Sequence, residues 1–375
     1  MNPVFEKFLR FFGLVIAFLL GGTVVYIGYL QFWSELGSAL IILLLVLGGV
    51  VSSIVCSAFH ELGHLVFGWL CGFRFNSIRI GFFTMFRREG KIRFSFQELP
   101  SSLAGATEML PKTSEKLYSR FLAVICGGLV FSFLFLVGAA VSLILYKSLP
   151  FAAYMFLCTS LPFAFHIFYY NVLPFNDDNM DTDGGMLRGL FKQETSYLTS
   201  VNVLAIEGYL YQGYTPSQIS RELYFGLPQL PEDDLNFIIL TDYRFNYYLD
   251  CGDIANACKA GDRLESLLEY VPKFYKNEIL TDILYCKSCL QRDKQAAERY
   301  YEQTSIYLKG ENSLRTRRIL AAYALYVQED KMAALREVNE AERKAEDYEI
   351  RGVEKYERKL IAGIRAGIIE QHMTE

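Results

Sequence analysis

Ala58-Phe59-His60-Glu61-Leu62-Gly63-His64 stands at the end of an uncharged run, residues 36–59, that is long enough to cross a membrane. On a helix, the H-E-x-x-H spacing sets two imidazoles one turn apart on one face, where they can share a Zn²⁺ ion. The glutamate between them can act as general base on water at the metal. Ionisable groups at membrane depth are expensive and by default imply function. The chain has only four histidines in 375 residues, so a chance match to this pattern is rare. The plainer alternative is a pair of histidines capping a membrane helix near the interface.

Three more uncharged runs accompany this one: residues 11–34, 121–146 and 149–175. A hydrophobic content of 52% and a positive mean hydropathy exceed what an ordinary soluble protein carries, and the apolar residues are concentrated in the first half. The first run is too long, and too poor in a small-residue cleavage site, for a removable signal peptide, and reads as a retained span. Lys7 and Arg10 precede it. Between spans two and three lie Arg74, Arg79, Arg87, Arg88, Lys91, Arg93, Lys112, Lys116 and Arg120, whereas the two opposite loops carry only Glu35 and Lys147. The excess of basic residues predicts a multi-pass cell-membrane protein with both termini cytoplasmic and His60 and His64 at the cytoplasmic side. The mild net charge of −4 gives no nucleic-acid signal.

Beyond the helix that runs on to about Cys71-Gly72, Phe73–Ile80 is rich in aromatic and β-branched residues, and residues 91–97 alternate strictly, with Ile92, Phe94 and Phe96 on one side. With Arg88-Glu89-Gly90 as a turn, residues 73–97 predict a β-hairpin or small sheet, half buried and half wet. The linking stretch, residues 81–86, is apolar enough to dip into the interface. Such a hairpin is either a plain connector or an edge strand that pairs with an extended substrate segment.

From about Leu187 the chain reads as soluble and helical. Gly252-Asp253 precedes Ala257, Arg292-Asp293 precedes Ala297, and Glu329-Asp330 precedes Ala334, with each alanine four residues after its aspartate. This resembles a tetratricopeptide pattern of helix pairs with a small residue where the helices pack. Such solenoids offer a groove to a protein or peptide. Cys286-x-x-Cys289, with Cys251 and Cys258 upstream, has the makings of a structural zinc site, though reduced thiols are the default.

A catalytic zinc takes three protein ligands and keeps a fourth position for water. The acidic stretch after the last span is brought to the same membrane face as the histidines by the topology above. Asp183, followed by Gly184-Gly185, is the best third ligand, with Asp177, Asp178 and Asp181 competing on spacing alone. Asn171 either donates a hydrogen bond to a developing oxyanion or caps the helix end before Pro174. His166 reads as a buried polar residue with a hydrogen-bond partner.

H-E-x-x-H at the end of a span, then a basic strand-rich loop, then Asn171-x-x-Pro174 leading to Asp183-Gly184, is similar to the site-2 protease family of intramembrane zinc metalloproteases. The resemblance covers about residues 36 to 190. It implies that His60, His64 and Asp183 hold one zinc per chain and that Glu61 is the base. The Asp-Gly match selects Asp183 over its acidic neighbours. In two respects the chain departs from common members. The interval from Asn171 to Asp183 is longer, which predicts a more mobile ligand loop, and Ser132 stands after Cys126-Gly127-Gly128 where an asparagine is expected.

The expected fold is mainly α: a bundle of about four membrane helices with a small β insert, plus a helical, tetratricopeptide-like C-terminal domain. Its parts are an N-terminal helix (1–35), a protease core (36–190) and a cytoplasmic domain (191–375). The expected function is cleavage of peptide bonds in membrane-embedded or membrane-proximal substrates, with the bilayer and a cytoplasmic protein at the repeats as further partners and no nucleic acid. The competing reading is a protease-like scaffold or sensor that recruits partners without cutting.

Overall fold

Among the described residues, four helices are long and apolar enough to cross a membrane: Val4–Phe32, Ser38–Leu70, Leu117–Ile144 and Phe151–Val172. In lipid every backbone polar group must be satisfied internally, so uncharged runs of this length form helices. Their outward surfaces stay apolar, with Phe18 80% and Ile144 77% exposed, as suits helices facing hydrocarbon rather than water. The computed structural model describes residues 3–33, 37–88, 91–96, 105–177, 180–345 and 348–373. The chain divides into two compact units, Met1–Leu110 with Tyr118–Glu194, and Pro111–Leu117 with Thr195–Glu375.

In the first unit, α1 (Pro3–Gly28) continues as a π-helical turn to Trp33, and α2 (Ser38–Leu70) carries the histidines. The strands β1 (Phe73–Ile80), β2 (Phe83–Arg88), β3 (Lys91–Phe96) and β4 (Gly105–Pro111) follow, then α3 (Leu117–Ile144). The fourth span is broken into α4 (Phe151–Ala153), a π-helical turn (Tyr154–Cys158) and α5 (Leu161–Val172), with Pro162 at the start of the last piece, where its missing N–H costs nothing. Two short strands, β5 (Asn176–Asp177) and β6 (Met180–Asp181), lead to α6 (Asp183–Phe191). α2 and α3 meet at Gly63 and Gly127. A Cβ on Gly63 would lie 2.2 Å from the Gly127 carbonyl oxygen, and one on Gly127 would lie 2.5 Å from that of Gly63. Only the absence of side chains lets the backbones come this close.

The sheet has order β3-β2-β1-β4, and the β1–β2 and β2–β3 pairs are antiparallel. It corrects the expectation at three points. Residues 83–88 are a central strand rather than a link, because the apolar run Phe83-Thr84-Met85-Phe86 pairs on both sides. A fourth strand, β4, lies beyond the expected range. The apolar side of β3 is not buried: Ile92, Phe94 and Phe96 are all more than half exposed. Glu89, Gly90 and Gln97 lie outside the described residues.

The second unit contains α7 (Thr195–Gln212), α8 (Arg221–Phe225), α9 (Leu235–Cys251), α10 (Ile254–Ser266), α11 (Lys273–Tyr285), α12 (Lys294–Gly310), α13 (Leu314–Tyr326), α14 (Lys331–Ala345) and α15 (Arg351–Met373). The repeated sequence pattern has a physical basis. Gly252, Arg292 and Glu329 all adopt the left-handed backbone conformation (φ +74°, +59° and +57°) that turns the chain out of one helix. The next residue, Asp253, Asp293 or Asp330, caps the following helix by accepting from the backbone N–H of Asn256, Ala296 or Ala333. One turn further on, Ala257, Ala297 and Ala334 are completely buried at the helix contact.

α15 lies against α7, α13 and α14. It is tied to α7 and α9 by Lys355 Nζ to the Gly213 carbonyl (3.0 Å), Tyr356 Oη to Asn246 Oδ1 (2.9 Å) and Lys359 Nζ to Asp250 Oδ1 (2.9 Å). Cys286 is buried and Cys251 exposed. Among the described residues the four cysteines of this unit form no metal-ligating group.

Candidate metal centre

One helical turn separates His60 from His64 on α2, so both rings project from the same face. Their Nε2 atoms are 3.3 Å apart, and each lies 3.4 Å from Asp183 Oδ2. The three donors thus form a nearly equilateral triangle. A tetrahedral zinc with bonds of ~2.0–2.1 Å requires ligand-to-ligand edges of about 3.3–3.4 Å. The side chains are 6%, 11% and 12% exposed, and Asp183 Oδ2 is a buried oxygen that receives no hydrogen bond. Burial pushes the Asp183 carboxyl well above the ordinary carboxylate range, so a cation at the centre of the triangle is what would keep it ionised. Among the described residues these three form the group able to hold a metal.

Both imidazoles are oriented from behind by α3. His64 Nδ1 lies 2.9 Å from the Val124 carbonyl oxygen. A carbonyl only accepts, so Nδ1 carries the proton and Nε2 presents its lone pair. His60 Nδ1 lies 2.8 Å from Ser132 Oγ. Gly128 sits directly against the rings, where a Cβ would fall 2.4 Å from His64 Nε2 and 2.8 Å from His60 Cε1. Ser132 therefore supports a candidate ligand, a role the sequence reading did not give it.

Asp183 is the first residue of α6. Thr182 Oγ1 caps that helix by accepting from the Gly185 N–H (3.3 Å) and donates to the Leu173 carbonyl (2.5 Å), binding the start of α6 to the end of α5. A Cβ on Gly184 would lie 2.2 Å from the Val172 carbonyl oxygen, so the residue after Asp183 must be glycine for this approach. Pro174 stands just past the end of α5, where the chain turns back. Of the competing acids, Asp181 accepts from Asn176 Nδ2 (2.9 Å), while Asp178 and the side chain of Asp177 lie outside the described residues.

Glu61 is 4% exposed and held by Thr107 of β4, whose hydroxyl donates to Glu61 Oε2 at 2.6 Å. Asn171 is directed elsewhere: its Nδ2 donates to the Ile167 carbonyl (3.0 Å) in its own helix. His166 has a buried Nδ1 without a hydrogen-bond partner, and its ring lies beside Tyr170. Thr107 left no local signal, lying 46 residues from the carboxylate it holds; Ser132 stood out only as a replacement for an expected asparagine, and it lies 72 residues from His60.

Apolar spans, a histidine pair on one helix turn and a carboxylate completing the triangle define a membrane protein of metallopeptidase type. A family model described as Peptidase family M50 matches residues 42–334. The chain belongs to that family, which is the site-2 protease family, and its peptidases are zinc-dependent. The match runs well past residue 190, so the likeness extends into the helical unit. No curated protein and no solved structure matches the chain.

Proposed function

We propose that this chain is an intramembrane zinc endopeptidase that cleaves membrane-embedded or membrane-proximal protein segments. One observation carries the reading: His60 Nε2, His64 Nε2 and Asp183 Oδ2 form a triangle of zinc-sized edges beside a buried glutamate on the same helix. Bound there, one zinc per chain supplies a Lewis acid and lowers the pKa of a water at neutral pH.

Glu61 is the general base: it accepts the proton from the attacking water and returns it to the leaving amine. Thr107 fixes the rotation of that carboxylate, and Ser132 and the Val124 carbonyl fix the imidazoles. β4 is an edge strand of the sheet and carries Thr107, so a substrate segment that unwinds and pairs with β4 lies along Glu61. Unwinding is needed because an intact helix shields its carbonyls with internal hydrogen bonds. Asn171 serves as oxyanion donor only if its amide leaves Ile167.

The basic residues flanking the spans support cytoplasmic termini, with residues 1–35, 36–190 and 191–375 as N-terminal helix, membrane core and cytoplasmic domain. The repeated left-handed turn, aspartate cap and buried alanine support a tetratricopeptide-like reading of the last part, with a cytoplasmic protein as partner.

The test is co-expression with tagged single-span membrane proteins, comparing wild type with Glu61→Gln and assaying zinc in each purified protein. A cleavage product that disappears in Glu61→Gln, with zinc still near one per chain, is expected. A product unchanged by Glu61→Gln assigns the cutting elsewhere, and a zinc-free wild type that cuts nothing leaves the scaffold reading in front.

A further inference from the structure

Arg10 lies on α1, outside the residues matched by the family model, and reaches the loop that presents Asp183. Its Nη1 donates to Tyr170 Oη at 2.6 Å and its Nη2 to the Asn176 carbonyl at 3.2 Å. Its guanidinium carbon stands 4.5 Å above the centre of the Phe175 ring, which is completely buried. Glu6, one turn earlier on α1, receives Nε and Nη2 (3.0 and 2.6 Å) and fixes the fork in this attitude.

The clamped residues lead straight to the ligand. The Phe175 carbonyl accepts from the Thr182 N–H (3.1 Å), the Phe175 N–H donates to Thr182 Oγ1 (3.2 Å), and Thr182 caps the helix whose first residue is Asp183. The base of α1 is itself seated on α5 by Tyr169 Oη donating to the Leu9 carbonyl at 3.0 Å. A planar cation that bonds along its edge and stacks on its face performs several tasks at once, which an ammonium on a flexible stem does not.

We propose that α1 is part of the metal-holding apparatus: Arg10, through Phe175 and Asn176, pins the long loop between α5 and α6 and is a positioning residue for Asp183. This rests on the zinc-site reading above. The described part of that loop is bonded to the N-terminal helix.

The experiment measures zinc release from the full-length, zinc-loaded protein in detergent to a chromogenic chelator. Arg10→Ala should release zinc faster, by about 10-fold at most, below the ~10–100-fold in affinity that losing a direct partner of a ligand costs, because Arg10 acts through Phe175 and Asn176. Arg10→Lys should fall between it and wild type, and Tyr170→Phe should show a smaller acceleration. Leu14→Ala, on an exposed part of the same helix, should release zinc at the wild-type rate. Gel filtration and circular dichroism establish that each variant is folded. If Arg10→Ala does not fold, Arg10→Lys and Tyr170→Phe decide the matter. Wild-type release from folded Arg10 and Tyr170 variants overturns the proposal, as does equal acceleration by Leu14→Ala. A wild type that holds no zinc, or a His64→Ala variant that keeps it, overturns the zinc-site reading itself.

Discussion

In the helical unit, Arg318 is fully buried and donates through Nε and Nη2 to Glu357 at 2.5 and 3.2 Å, with its guanidinium 4.1 Å over the Tyr285 ring. Nearby, Arg315 pairs with Asp282, which also shares a hydrogen bond with Asp242. In the membrane unit Asp183 is buried as well, yet its Oδ2 receives no hydrogen bond and faces the Nε2 atoms of two imidazoles. Both regions take charge out of water. The first neutralises it with the chain's own cations, and that arrangement explains itself as structure. The second leaves a carboxylate whose natural complement is an external cation. Single unpartnered atoms occur in the helical unit too, at Arg318 Nη1, Asp242 Oδ1 and Asp282 Oδ1; what sets Asp183 apart is that its unpartnered oxygen closes a triangle with two imidazole nitrogens.

Four substitutions test whether the two regions differ in this way. The largest effect is expected from Asp183→Ala. Zinc at a thousand times its dissociation constant should stabilise the wild type by about 4 kcal/mol, and that increment should vanish in the variant. Thermal unfolding with zinc and with chelator reads it. Zinc-dependent stability surviving in Asp183→Ala would erase the contrast. Glu357→Ala strands Arg318 in the helical unit and should cost about 3 kcal/mol or more in urea unfolding, equally with and without zinc. A silent Glu357→Ala would mean that the ion pair is not a closed structural unit.

Ser132→Ala removes the partner of His60 Nδ1 and should weaken zinc binding about 10–100-fold, measured by chelator competition, without altering the unfolding of the helical unit. The smallest effect is expected at Asp242. Burial pushes its carboxyl well above the ordinary carboxylate range, whereas Arg315 holds Asp282 below that range despite burial. Asp242 is thus protonated in the fold and ionised in the unfolded chain, so its contribution falls as pH rises above the unfolded value. Asp242→Asn should leave stability near pH 4 within about 1 kcal/mol of the wild type, and above that pH should flatten the decline. A stability-pH curve with unchanged slope would refute this.

The parts legible in the sequence were those written in local periodicity. His60 and His64 are four residues apart, the spans are uncharged runs, and the aspartates at 253, 293 and 330 recur with their alanines. Asp183 emerged from a short motif beside a topological argument. What escaped depends on contacts between distant segments. β4 is a mixed, partly polar strand with no clear alternation, defined by its neighbour in the sheet. Residues 83–86 looked like a linker because Phe83, Met85 and Phe86 put apolar side chains on both faces of the strand, which erases the alternation of a half-exposed one. Thr107, Ser132 and Arg10 carry ordinary side chains, and nothing near them in sequence indicates which carboxylate, imidazole or loop they hold.

The path of α15 changes how the helical unit should come apart. A stack in which each repeat touches only its neighbours melts in stages and frays from its ends. Here Lys355, Tyr356 and Lys359 join α15 to positions 109 to 142 residues away, near the beginning of the unit. The first and last helices therefore guard each other, neither end is free to peel, and amide exchange across the whole unit should follow a single cooperative opening.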